Sequence, residues 1–127
     1  MKPMEALSLW RDVTLEGVRE HGADLTQRQM SVLLTVYLTN PPHTVRGLAQ
    51  ILDVGKPVIT RALDTMGRAG LIKRKRDEDD RRNVLVQRTV KGSVFLNDLG
   101  ERIAAALSDS PGESQALPQV EPRRAHG

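Results

Sequence analysis

The apolar positions of this chain fall into five stretches of helical spacing, interrupted once by a stretch of strand spacing. Residues 4–21 place Leu7, Trp10, Val13 and Val18 near one face, with Gly22 as the stop. The second stretch opens on a capping signal. Thr26 and Gln29 can each satisfy the other's backbone N–H, and Leu25 and Met30 occupy the flanking apolar positions. Met30, Leu33, Leu34 and Tyr37 follow at i, i+3, i+4 and i+7, and Asn40-Pro41-Pro42 ends the helix because proline cannot continue it. Thr44 is positioned to cap a third, shorter helix whose stripe is Val45, Leu48, Ala49 and Leu52. Asp53-Val54-Gly55-Lys56 form a turn before Pro57, which suits the first turn of a fourth helix. That helix carries Ile59, Ala62, Leu63 and Met66 and stops at Gly70.

After Gly70 the period changes. Leu71 to Arg76 and Asn83 to Arg88 are short runs with Val, Leu and Ile, separated by the polar turn Asp77–Arg82, which is a hairpin signal. A last helix starts at Thr89, with Val90, Val94, Leu96, Leu99, Ile103 and Leu107 as its apolar contribution. From Ser108 the chain is dominated by Pro, Gly, Ser, Glu and Gln, too polar to offset its own ordering entropy. The expected division is an N-terminal helix in 1–24, a folded unit in 25–89, a C-terminal helix in 90–107 and a disordered tail in 108–127. Two short helices joined by a tight turn and followed by a β-hairpin describe a mainly α fold with a β-hairpin wing, a winged helix-turn-helix.

Composition sharpens this in one respect. Residues 55–92 hold 11 of the 19 Lys and Arg and 5 of the 16 acids, a balance of +6 in a chain of net +3, so the remainder carries −3. A basic segment set on a neutral-to-acidic body suits a polyanion, although a charged face can also serve solubility alone. The fourth helix, about 56–69, turns Lys56, Thr60, Arg61, Thr65 and Arg68 away from its apolar stripe, and such groups hydrogen-bond base edges and phosphates. Asp64 is the only acid between Pro57 and Arg76. The chain has no cysteine, which excludes disulfides and thiolate metal sites. It has no apolar run near the roughly 20 residues that span a bilayer and no signal-peptide order at its start, so a cytoplasmic, nucleoid-associated protein is expected.

These residues resemble the MarR-type transcriptional regulators. The likeness covers about residues 25–95 and rests on Lys56-Pro57 with Thr60-Arg61, Gly70-Leu71-Ile72, Asp77 with Asp80-Arg81-Arg82, and Thr89 with Gly92. The resemblance implies a homodimer on double-stranded DNA, each protomer setting its fourth helix in a major groove and its wing, about 73–86, in the flanking minor groove. Lys56, Pro57, Thr60, Arg61 and Thr65 would meet the major groove, and Thr44, Arg68, Lys73, Arg74 and Lys75 the phosphates, with Arg76 continuing that basic run. Arg81 or Arg82 would enter the minor groove, held in pose by Asp77 and Asp80. Leu7, Trp10, Leu99 and Ile103 are expected at the dimer interface.

The chain departs from the family in two places. Gly55 stands where a serine commonly precedes Lys-Pro, and one C-terminal helix stands where relatives use two, which leaves the dimer and any small-molecule effector pocket unassigned. The acids Asp77-Glu78-Asp79-Asp80 could form a metal cluster, but their turn context and flanking arginines favour the wing reading, and no metal or cofactor is expected. His21, His43 and His126 are read as helix-end, loop and tail residues without ligand spacing, and Ser8, Ser31 and Ser93 lack a base that would make a nucleophile. The expected function is a sequence-specific DNA-binding regulator, a repressor and not an enzyme. Two other classes share these features: a winged-helix protein-interaction module and a non-specific architectural DNA binder.

Overall fold

In the computed structural model, residues 1–20 and 22–109 are described. They form five α-helices and a three-stranded antiparallel sheet, in two units: Ala23–Asn97, and Met1–Gly22 with the chain from Asp98 onward.

The larger unit begins with α2, Gln27–Leu38. Its capping box forms as expected, the Gln29 N–H donating to Thr26 Oγ1 at 3.0 Å and the Thr26 N–H to Gln29 Oε1 at 2.9 Å. The buried face is Val32, Leu33 and Val36, whereas Met30, Leu34 and Tyr37 are only half-buried. The expected stripe is therefore shifted around the helix. Apolar residues occupy most sides of α2, so spacing alone admits several stripes, and packing against the two helices that follow selects one.

A two-residue strand, β1 (His43–Thr44), comes next, and no period could announce so short an element. In α3, Val45–Leu52, the Gly47 N–H donates to Thr44 Oγ1 at 2.9 Å, so Thr44 is the cap. Asp53 takes the left-handed conformation at φ 57°, which ends α3, and Gly55 is already the N-cap of α4, Lys56–Arg68. The turn is thus one residue shorter than expected. In α4, Ile59, Ala62, Leu63 and Met66 are buried, as their spacing predicts. Four of the wholly buried side chains, Leu33, Leu48, Ile59 and Leu63, come from three helices and meet in one core. Burying each contributes about 1.5–3 kcal/mol relative to exposure.

Gly70, at φ 78°, reverses the chain after α4, and the Leu71 N–H closes on the Met66 carbonyl at 2.9 Å. β2 (Ile72–Arg76) and β3 (Val84–Arg88) form the expected hairpin, with Ile72 opposite Arg88 and Arg76 opposite Val84. The sheet order is β1-β3-β2, so the small first strand seats β3 between two partners. His43, expected in a loop, is buried in β1, with its Nε2 3.2 Å from the Thr39 carbonyl.

Both ends of the hairpin are tied to α2. The Tyr37 hydroxyl donates to the Leu71 carbonyl at 2.6 Å and accepts the Thr89 N–H at 2.9 Å. Thr89 Oγ1 donates to the Gly70 carbonyl at 2.7 Å and accepts the Gly92 N–H at 2.9 Å, capping α5, Val90–Asp109. Gly92 packs so closely that a Cβ there would collide with the Tyr37 hydroxyl and the Leu71 carbonyl. Arg88 adds a third tie. Its Nε donates to the Val36 carbonyl and its Nη2 to the Thr39 carbonyl, each at 2.9 Å, which places a cation on the C-terminal carbonyls of α2.

The second unit holds α1, Pro3–Arg19, and the later turns of α5. Of the expected α1 face only Val13 is buried, and Leu7, Trp10 and Val18 are 63%, 52% and 69% exposed. Leu99 is buried within the chain itself and Ile103 is half-buried, so of the four expected interface residues one is buried, one half-buried and two open. Arg102 Nη1 donates to Glu20 Oε1 at 3.0 Å. The helix expected to stop at 107 continues through Asp109; the rest of the tail, 110–127, lies outside the described residues, as do His21 and His126.

Candidate nucleic-acid interface

α4 reaches this position because its apolar stripe is fully used in the core, which leaves its opposite side to solvent. Lys56, Pro57, Thr60, Arg61 and Arg68 are exposed there, and Thr65 is half-buried. Thr65 Oγ1 lies 3.4 Å from the Arg61 carbonyl, and Arg68 Nη2 lies 3.5 Å from Thr65 Oγ1, so these side chains form one polar ridge. Gly55 caps the helix without a side chain, as its departure from the family pattern implies. Thr44 is half-buried at the start of α3, its oxygen engaged by Gly47 and its hydroxyl hydrogen still able to donate.

The basic run of β2 does not act as a block. Strand geometry alternates its side chains, and the structure gives the two sets different tasks. Lys73 and Lys75 are exposed. Arg74, expected on phosphate, donates through Nη2 to Asp64 Oδ1 of α4 at 2.8 Å. Arg76 donates to the Arg81 carbonyl at 2.7 Å and so braces the wing tip.

The tip is built by its acids. The Asp77 N–H meets the Asn83 carbonyl at 3.1 Å, and Asp77 Oδ1 accepts the Asp79 N–H at 2.9 Å. Asp80 grips Arg82 with both carboxylate oxygens, from Nε at 3.0 Å and Nη2 at 3.1 Å. The two expected orienting residues therefore differ: Asp80 holds an arginine side chain, and Asp77 shapes the loop backbone. The Arg82 guanidinium, with the Arg82 N–H and the nearby charge of Arg46, holds the Asp80 carboxyl below its ordinary pKa, and Asp80 in turn raises that of Arg82. Arg82 remains 81% exposed and projects its charge outward.

Three contributors carry no local signal in the sequence. Arg46 of α3 is exposed and close enough to bear on Asp80. Tyr37 and Arg88 fasten the hairpin to α2 through partners up to 52 residues away, a distance no local pattern reports. A cavity of about 230 Å³ lined by residues such as Pro42, His43, Leu85 and Arg88 contains none of the residues expected at nucleic acid. Among the described residues no group of His, Asp or Glu could hold a metal, and no helix is long and apolar enough to cross a membrane.

A helix with a donor-rich outer face, set in a three-helix core beside a hairpin that exposes Lys73, Lys75 and Arg82, makes this a winged helix-turn-helix protein. Residues 25–84 match the model of the MarR family, and the winged helix of this chain is a MarR-family one. The transcriptional regulator Tm0710 from Thermotoga maritima is similar at TM-score 0.67 and 22% identity, over 81% of this chain and 70% of that one. Overoxidized AbfR bound to DNA is similar at TM-score 0.60 and 26% identity, over 80% and 68%. MepR of S. aureus, in its DNA complex, shares the fold at TM-score 0.61 and 20% identity, over 84% and 77%.

Proposed function

We propose that this chain is a sequence-specific regulator of transcription that binds double-stranded DNA as a homodimer and represses by occluding a promoter. One observation carries the reading: the exposed ridge of α4 and the cations of the wing belong to one unit whose hairpin is tied down at both ends. The DNA complexes of AbfR and MepR support it by analogy of fold. In this reading Lys56, Pro57, Thr60, Arg61 and Thr65 face the major groove, and Thr44, Arg68, Lys73 and Lys75 meet phosphates. Arg82, gripped by Asp80, is the minor-groove residue, and Arg81 stands beside it. Arg74 is left out of the phosphate set because it is held on Asp64 with its side chain only 34% exposed, whereas Arg82 stays 81% exposed in its pair with Asp80.

The dimer places the exposed Leu7 and Trp10 of α1 against a second copy, with the half-buried Ile103 at its edge and Leu99 already covered within the chain. The work is binding, with no bond made or broken. Selection of duplexes from a random library, followed by sequencing, tests the proposal. An enriched palindrome supports it, and binding without any preferred sequence supports an architectural protein instead. Salt-insensitive binding, or none, turns the reading toward a protein-interaction module.

A further inference from the structure

The wing is anchored unevenly. At its base, Leu71 and Ile72 are buried in the core, whereas Lys73, Arg74, Lys75 and Arg76 are all exposed. Burial therefore fixes where β2 starts and, through the pairing with β3, holds Val86 opposite Arg74, but the outer four residues of β2 themselves bury nothing against α4. Gly70, in the left-handed conformation just before, sets the direction in which β2 leaves α4. One side-chain ion pair crosses from β2 to α4: Arg74 Nη2 on Asp64 Oδ1, at 2.8 Å, with the two side chains 34% and 45% exposed.

Asp64 is an odd residue to find here. It lies one turn beyond Thr60 and beside Thr65 and Arg68, on the helix that otherwise presents donors and cations. A carboxylate there repels phosphates and withholds Arg74 from them, so electrostatic attraction alone would select against it.

We propose that Asp64 and Arg74 form a strut that fixes the angle between the recognition helix and the wing, so that both reach DNA in one register. Asp64 is then a positioning residue. It acts through Arg74 and touches no base or phosphate. This rests on the DNA-binding reading above and adds to it the device that couples the two grooves.

The test turns on a sign. Asp64→Asn removes a negative charge and frees a guanidinium, so charge alone makes it bind every duplex more tightly. The strut makes it weaken the preferred duplex, by about five-fold, as coupled neighbours do, with random duplex no weaker. Affinities are read by fluorescence anisotropy on both duplexes, and melting followed by circular dichroism should barely move, because the pair is exposed. A cycle with Arg82→Ala supplies the second readout. In the wild type Arg82→Ala weakens the preferred duplex, and in the Asp64→Asn background it weakens it less, because the wing is already out of register. Arg74→Met is the second variant: adding Asp64→Asn to it should cost nothing more. Tighter or unchanged binding of the preferred duplex by Asp64→Asn, or strictly additive effects with Arg82→Ala, overturns the strut and leaves the DNA-binding reading standing. A wild type with no preferred duplex overturns that reading and the strut with it.

Discussion

Changing Tyr37 to Phe removes one oxygen atom from the point where the hairpin's two ends meet α2. The ring stays, so its packing and its position 5.9 Å from the Arg88 guanidinium are preserved. What is lost is the donor to the Leu71 carbonyl at 2.6 Å and the acceptor for the Thr89 N–H at 2.9 Å. An orphaned buried polar group costs about 1–3 kcal/mol. Both groups sit in partly buried hydrogen bonds, so water can recover some of this, and the lower end applies to each. The sum is about 2 kcal/mol, or a fall of about 10 °C in Tm for a unit of this size. Urea unfolding gives the stability, and hydrogen exchange at the Thr89 amide reports the lock locally. The amide should exchange faster than global unfolding accounts for. A loss below about 0.5 kcal/mol with unchanged Thr89 protection would show that the hydroxyl is incidental and that the core alone holds the wing.

Three other outcomes follow from the same coordinates. Gly92→Ala drives a Cβ into the Tyr37 hydroxyl and the Leu71 carbonyl, so it should destabilise by about 3 kcal/mol in urea unfolding, and a neutral result would refute the tight packing. Trp10→Glu should convert a dimer to a monomer in sedimentation, weaken DNA binding and abolish the concentration dependence of Tm, since Trp10 is 52% exposed in a single copy. Asp80 has a lowered folded pKa, so its pairing with Arg82 is complete above the ordinary carboxylate value and is lost as pH falls through the lowered one. A carboxyl NMR titration should show that low midpoint, and Arg82→Ala should move it back up.

How much of this was legible depended on how many readings the local pattern allowed. α4 is legible because its buried residues, Ile59, Ala62, Leu63 and Met66, form one stripe and, Val58 apart, its larger apolar side chains lie on it. α2 was misphased because Val32 and Val36 compete with Leu34 and Tyr37, and only its neighbours decide between them. In α1 the apolar face is legible, but among the described residues nothing covers most of it. At the candidate site the residue types were legible and their partners were not. The strand period separates Arg74 from Lys73 and Lys75, but its ion pair depends on where α4 lies. Thr89 and Gly92 stood out as a motif, and their reason appears only when Tyr37, more than 50 residues earlier, arrives between them.

The central claim is that α4 reads bases and does not merely hold the backbone. Arg61 is its exposed arginine one turn in, and a bidentate contact to guanine discriminates against a wrong base by roughly 1–3 kcal/mol. The measurement is the affinity of Arg61→Ala, by fluorescence anisotropy across several salt concentrations, for the selected duplex and for a random one. If α4 reads bases, the selected duplex loses about ten-fold or more while the random duplex loses much less, so the specificity ratio collapses. Equal losses on both, with the ratio intact and the salt slope lowered by about one, would make Arg61 a phosphate clamp and contradict the account.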